Sequence, residues 1–398
     1  NDSILHNLEV ISISSIRADR TIPVTETTLK KNDIEHNYTG QEMPVMLANS
    51  PSINCYSDGG NFNGYSYLRL RGVDQTRINF TLNGVPLNEP EDQGAYFSNY
   101  PDFLNSVRSI QVQRGVGLST NGAAAFAGSV NTESFSLTDS AYTELNMGYG
   151  SYNTYRISPE FNTGLLKNNW SFYGRYSTIA SDGFREHSGT EGSSFFFSGG
   201  YIGKTGTLKF TSFTGVSKNQ MAYLAVSDSM LKENYRANLL TTNEKDEFKQ
   251  SLAMLQYLFP LGKNGFVSAT AYYNYLKGGY SILFRPDLYN YSVNSNFYGG
   301  ILNYQLKKDA FKLNWGLHVN DYMRAHYSST EPKGDSLLYK NIGHKNEFAT
   351  FLKLSYEIKQ LTLFADVQYR YTKFKYEADK NTPVDIQAMN WQFINPKA

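Results

Sequence analysis

The sequence predicts a mainly β protein, with a compact N-terminal domain followed by a transmembrane antiparallel β-barrel. Three observations carry that expectation. The first third holds short strand-like runs that end in glycine, such as Leu68-Arg69-Leu70-Arg71-Gly72, Leu82-Asn83-Gly84-Val85-Pro86 and Ile110-Gln111-Val112-Gln113-Arg114-Gly115. Such runs belong to tight-turned β structure. From about residue 137 onward, longer strands alternate apolar and polar side chains. The connections between those strands alternate short and long, as in outer-membrane barrels.

Composition narrows the classes. Formal net charge is +1 in 398 residues, which supplies no electrostatic case for nucleic acid. Charged residues are 18%, below the ~25% of ordinary soluble chains, and aromatics reach 15%. The 31 tyrosines suit a membrane–water boundary, because Tyr joins an apolar ring to a polar tip. No apolar run approaches the ~18 residues of a transmembrane helix. The single cysteine, Cys55, excludes an internal disulfide and reads as a packing residue.

The strand stripes follow in order. Trp170, Phe172, Gly174 and Tyr176 lie opposite Ser171, Tyr173, Arg175 and Ser177. Val267, Ala269, Ala271, Tyr273 and Tyr275 form the next stripe. Phe311, Leu313, Trp315, Leu317 and Val319 oppose Lys312, Asn314, Gly316, His318 and Asn320. Leu361, Leu363, Ala365, Val367, Tyr369 and Tyr371 oppose Thr362, Phe364, Asp366, Gln368 and Arg370. A period of two with one apolar face means half-buried antiparallel strands. Short turns are expected near 163–167, 203–205, 258–264, 307–310 and 357–360. Long loops are expected at 179–192, 216–246, 276–293, 323–344 and 373–388. A soluble sandwich would alternate in its strands too, but has no reason to sort its loops this way.

Counting from Tyr142 gives eleven strands, with a twelfth beginning near Asn390-Trp391. A membrane sheet cannot keep an open edge in lipid. The expectation is therefore a truncated barrel, with roughly its second half outside this chain.

The N-terminal third resembles the plug of TonB-dependent outer-membrane receptors. The resemblance runs through Leu68–Gly72, Arg77, Leu82–Leu87, Val107–Gly115 and Gly122–Asn131, in matching order and spacing. Gln111 and Asn83 stand where that family usually has acidic residues, which puts a local salt bridge in doubt but not the fold. The resemblance implies an α+β plug domain over 21–136, preceded by an N-terminal segment over 1–20 and followed by the first part of the barrel over 137–398. It also implies location in the outer membrane of a Gram-negative bacterium.

Leu8-Glu9-Val10-Ile11-Ser12-Ile13-Ser14 resembles the family's TonB box. A short extended β-branched segment can add as a strand to a partner's sheet edge. The plain alternative is the plug's first strand. The partners implied are a TonB-type periplasmic coupling protein, outer-membrane lipid and a small-molecule ligand such as an iron complex. Arg71 and Arg114 match plug arginines that pair with carboxylates on the barrel wall, with the partner glutamates open to lying in the missing half; solvated surface arginines are the alternative.

Segments 57–67 and 88–100 are the expected plug apices. Asn61, Phe62, Tyr65, Gln93, Tyr96 and Phe97 are the candidate ligand-binding residues, since they mix aromatic and hydrogen-bonding groups. Glu89, Glu91 and Asp92 read as a solvated acidic loop before they read as a calcium site. The histidines His6, His36, His187, His318, His326 and His344 lack metal-ligand spacing; His187, His326 and His344 fall in or near expected outer loops and read as ordinary loop histidines before haem-iron ligands. No cofactor or metal is expected, and no nucleophile or paired-carboxylate motif points to catalysis. The function implied is TonB-dependent uptake of a scarce large solute, an iron complex such as a ferric siderophore or haem by frequency. Cobalamin or a glycan are the alternatives within the mechanism; a passive porin, a surface adhesin or an outer-membrane enzyme are the alternatives outside it.

Overall fold

The computed structural model describes residues 17, 24–116, 125–331, 337–379, 383–384 and 388–397. The fold is a small α+β domain seated against the inner face of a large antiparallel sheet.

The N-terminal domain contains β1 (Thr25–Lys30), β2 (Ile53–Ser57), β3 (Ser66–Leu70), β4 (Val73–Asp74), β5 (Ile78–Leu82), β6 (Val85–Pro86), β7 (Val107–Arg114) and β8 (Gly128–Ser134). Short helices cover Lys31–Asn37 and Met43–Met46. One sheet has the order β1-β7-β8-β5-β6, and the second has the order β2-β3-β4. Strand β5 runs parallel to β8; the other pairings are antiparallel. The core is built from the alternating residues of these strands, including Leu68, Leu70, Ile78, Phe80, Ile110 and Val112, all 1% exposed or less.

Two of the glycine-ended phrases close hairpins. Arg71-Gly72 has φ of 53° and 79°, and Asn83-Gly84 has φ of 49° and 86°. Two successive positive φ values match the right-handed twist of the flanking strands, which is why Xaa-Gly turns are favoured there. Gly128 serves a different need. It sits between β7 and β5, where a Cβ would lie 2.2 Å from the Gln113 carbonyl oxygen and 2.5 Å from Leu70 Cδ2.

Twelve strands then pair in sequence: β9 (Tyr142–Gly150), β10 (Thr154–Asn162), β11 (Trp170–Ser181), β12 (Thr190–Ile202), β13 (Thr207–Gln220), β14 (Lys245–Leu261), β15 (Gly265–Phe284), β16 (Asp287–Lys308), β17 (Phe311–Glu331), β18 (Leu337–Ile358), β19 (Leu361–Glu377) and β20 (Met389–Lys397). Each is antiparallel to the next, and β9 and β20 are the sheet's two ends. The expected stripes face as read. Ser268, Thr270, Tyr272 and Asn274 are buried towards the N-terminal domain, while Tyr273 is exposed outward. Leu145, Met147, Leu255, Trp315, Leu363 and Val367 belong to the same exposed outward face. An apolar outer face on a twisted antiparallel sheet is what lipid would cover.

One end of the sheet has tight connections, at 203–206, 262–264, 309–310 and 359–360. The other end differs from expectation in part. The connections at 182–189 and 221–244 are loops, the latter with a helix over Asp228–Glu233. The expected loop at 276–293 is instead an extension of β15 and β16, joined through Arg285-Pro286. The expected loop at 323–344 likewise belongs largely to β17 and β18. These strands of 20–22 residues are about twice the ~9–11 that cross a membrane. Cross-strand rings explain the extension: Tyr280 stacks on Tyr291 at 5.2 Å and Phe284 meets Tyr289 edge-on at 5.5 Å. Such pairs stabilise a ladder beyond lipid.

Candidate functional site

The N-terminal domain meets the wall through two polar clusters and an aromatic seam. In the seam, Phe135 stacks on Tyr173 at 4.4 Å, and Tyr100 stacks on Phe213 at 5.3 Å.

The first cluster centres on Asp102, whose side chain is fully buried. Its carboxylate pairs with Arg156 Nε of β10 at 2.8 Å and Arg175 Nη1 of β11 at 3.0 Å. Ser177 donates to it at 2.6 Å and Tyr38 at 2.8 Å. Burial alone would raise this carboxyl, but Arg175 and Arg156 hold it below the usual carboxylate range.

The second cluster lies in segment 88–94. The backbone folds into a closed turn, with Gln93 N–H donating to the Glu89 carbonyl and Glu89 N–H donating to the Gly94 carbonyl, both at 2.8 Å. From the wall, Tyr322 donates to Glu89 at 3.1 Å, and Lys345 donates to the Pro90 carbonyl at 2.6 Å. Arg324 pairs with Asp92 at 2.9 Å and Glu91 at 3.6 Å, and His326 meets Glu91 at 2.8 Å. Burial raises the Glu89 carboxyl; Glu91 falls below its ordinary value because His326 and Arg324 outweigh its burial. Segment 88–94 is thus tied to the wall through its carboxylates, with Asp92 still exposed to solvent, and no metal-ligand cluster occurs among the described residues.

Arg71 and Arg114 meet no wall carboxylate among the described residues, which hold only part of the wall. Arg114 donates to the Pro51 carbonyl at 2.9 Å and to Thr27 Oγ1 at 2.8 Å, both in its own domain. It lies opposite Thr25 in register, so its guanidinium spends its donors along β1. Arg71 is exposed on its turn. In the seam that this chain contains, carboxylates of the N-terminal domain meet arginines of the wall. The uncharged Asn83 and Gln111 are satisfied locally: Asn83 exchanges two bonds with Ser134, and Gln111 donates to Thr28 Oγ1.

Above the second cluster lies a cavity of about 670 Å³. Its floor is aromatic: Tyr56 stacks on Tyr67 at 5.2 Å, and Tyr65 lies 6.4 Å from Tyr67. Tyr96, Tyr223 and Tyr280 add further rings to the lining. Of the candidate ligand residues, Tyr65 and Tyr96 line this cavity. The other four lie elsewhere. Asn61 ties the apex to a wall loop, donating to the Ser188 carbonyl at 2.8 Å and accepting from Phe184 N–H at 2.7 Å. Phe62 is 67% exposed, outside the lining. Gln93 turns its amide back to the Pro90 carbonyl at 2.7 Å. Phe97 is a core residue, edge-on to Phe80 at 5.1 Å. Sequence reasoning missed Tyr56, Tyr67 and Arg324 as lining residues and singled out His326 only as a loop histidine. Arg324 and His326 stand two apart in a region read as loop; as strand they share one face. Residues Leu8–Ser14, the TonB-box resemblance, lie outside the described residues.

Glu42 steadies the apex from beneath. Its buried carboxylate accepts from Gly64 N–H at 2.6 Å, from Ser66 N–H at 3.1 Å and from the Ser66 hydroxyl. Burial raises it to about 7, against the partial relief of those bonds. A raised folded-state value means the native state binds the proton more tightly than the unfolded chain. Stability of the apex should then be greatest below pH ~4.5 and fall as pH rises through about 7. Hydrogen exchange at Gly64 and Ser66, corrected for intrinsic rates, should reveal this fall, and Glu42→Gln should flatten it. A wild-type profile that is already flat would rule out the linkage.

A family profile described as the TonB-dependent receptor plug domain matches residues 18–129. No curated protein sequence matches the chain. In fold, the chain is similar to the unliganded ferric citrate transporter FecA, with a TM-score of 0.80 and 14% identity over 94% of this chain and 59% of that one. It is also similar to the ferric preacinetobactin receptor BauA from Acinetobacter baumannii, with a TM-score of 0.75 and 12% identity over 96% and 61% of the two chains. The ferric yersiniabactin uptake receptor FyuA from Yersinia pestis gives a TM-score of 0.73 and 12% identity over 96% and 62%. The chain thus spans about three fifths of the length of each of these structures.

Proposed function

We propose, because the chain is the plug and part of the barrel of a TonB-dependent receptor, that it serves energy-coupled uptake of a large solute through the outer membrane. The observation that carries the reading is the seated plug with a roomy cavity above it. A passive pore would keep its lumen open, whereas here residues 89–102 are bonded to the inner face of β10, β11, β17 and β18. Passage then requires the plug to be remodelled, and the outer membrane offers no nucleotide to drive that. A mechanical pull through a periplasmic TonB-type coupling protein supplies the energy. Residues 8–14 are the segment it would grip.

The solute class is an iron complex. The similar structures are described as ferric citrate, ferric yersiniabactin and ferric preacinetobactin proteins, which supports this choice. The tyrosine-rich cavity offers stacking faces and phenol groups to the organic shell of such a complex. The test is uptake of radiolabelled ferric complexes by cells carrying or lacking this protein, with and without the coupling protein. Accumulation that ignores both deletions would end the proposal.

The grip itself makes a sharper expectation. Strand addition depends on backbone donors, and proline lacks one. Ile11→Pro should abolish uptake while leaving ligand binding to whole cells intact. Uptake at the wild-type rate in that variant would remove residues 8–14 from the coupling role.

A further inference from the structure

The turn at 89–93 has a face in each of two cavities. Asp92 lines the outer aromatic cavity, together with Arg324 and His326. Pro90 and Gln93 line a second cavity of about 90 Å³ on the other side. That inner cavity is walled by side-chain amides, including Asn79, Asn88, Asn131, Asn303 and Asn320. Its charged residues Glu347 and Arg370 pair with each other at 2.8 Å, so the lining offers hydrogen bonds without a free charge among these groups.

The order along the wall strands fixes where the turn lies between them. On β17 the lumen-facing ladder runs His326 and Arg324 in the outer cavity, Tyr322 on Glu89, then Asn320 and His318 in the inner cavity. Neighbouring β16 repeats the sequence: Val293 lines the outer cavity, Ser295 contacts Glu89, and Phe297 lines the inner cavity. On β18, Lys345 holds the Pro90 carbonyl and Glu347 lines the inner cavity. At about 3.3 Å of rise per residue, one rung of the ladder separates the cavities. That rung is occupied by the turn.

We propose that residues 89–93 are a gate between the two cavities, latched to the wall by Arg324, His326 and Lys345. The proposal deepens the uptake reading by naming the route. Solute leaves the aromatic cavity beside β16–β18, where the contacts are ionic and reachable from the outer cavity. It does not leave beside β10 and β11, where Asp102 is buried against two arginines. The inner cavity marks the path beyond the gate, and its amides donate and accept hydrogen bonds along it.

The gate is testable without knowing the solute. In a Cys55→Ala background, Asn320→Cys places a reporter in the inner cavity and Gln220→Cys places one in the outer cavity. The intact protein is reconstituted in liposomes that contain a trapped thiol quencher. An uncharged, sugar-bearing methanethiosulfonate is added outside. The Gln220→Cys rate measures correctly folded, outward-facing protein and normalises the other. The latch is broken from the plug side by Glu91→Gln with Asp92→Asn, and from the wall side by Arg324→Gln. Labelling at residue 320 should be slow with the latch intact and roughly tenfold or more faster when either side is cut. An unchanged normalised rate in either variant overturns the gate. Loss of coupling-dependent iron uptake by the unmutated protein would bear on the uptake reading alone and leave the labelling result standing.

Discussion

Replacing Asp102 with asparagine or alanine is expected to loosen the plug from the wall by about 3–5 kcal/mol. Two arginines are the reason. The Arg175 side chain is fully buried and that of Arg156 is 8% exposed, and Asp102 pairs with both. Removing the carboxylate leaves two like charges buried near each other with no counter-charge between them. Ser177 and Tyr38 lose an acceptor as well. Asp102 has a φ of 54°, a conformation asparagine tolerates better than alanine, so Asp102→Asn isolates charge from backbone strain. Urea extraction of the plug, followed by protease sensitivity of residues 97–107, would measure the effect. An Asp102→Asn plug as resistant as the wild type would refute the pairing as its anchor. The acid side has a definite sign. Because the folded carboxyl is held below 3.8, its contribution is complete at neutral pH and is lost only as pH falls below that value.

The second large effect is expected within the plug. Gly128→Ala should cost about 3 kcal/mol or more, at the upper end for overpacking. The added methyl would lie 2.2 Å from a backbone oxygen, and backbone cannot rotate away as a side chain can. Strand β8 is held on both sides, by β7 and β5, so relief requires breaking one ladder. Calorimetry should record an early plug transition while the barrel transition stays in place. A single transition at the wild-type temperature would mean that β8 shifts freely, contrary to its pairing.

The two substitutions differ in how readable they were. Gly128 lies in the phrase Gly122–Asn131, which carried the plug resemblance, and the need for glycine there is a local matter of strand approach. Asp102 carried no signal. Its partners are 54 and 73 residues away, and nothing in Tyr100-Pro101-Asp102 marks a buried anion. The same contrast explains Arg71 and Arg114, for which the resemblance implied wall partners. Within this chain Arg114 donates to Pro51 and Thr27, and the wall strands present contribute the cations. Among the proposed ligand residues, Tyr65 and Tyr96 reach the cavity, whereas Phe97 is taken up by the core. An aromatic residue near an apex looks alike in sequence whether it faces ligand or neighbour.

Strand faces, by contrast, follow from a period of two, which each strand carries by itself. The sequence alone therefore determined that this chain builds an antiparallel wall with an apolar outside, and where most tight turns fall. It also determined the plug's glycine hairpins, because positive φ is a property of one residue. Tertiary structure alone decided that the expected loops near 280 and 330 continue as paired strands, the one near 280 with rings contributed across the ladder. It alone decided that the acidic turn at 89–93 is latched to the wall between two cavities. Those contacts join residues more than 200 positions apart, and a long-range ion pair leaves no periodic trace in either of the segments it joins.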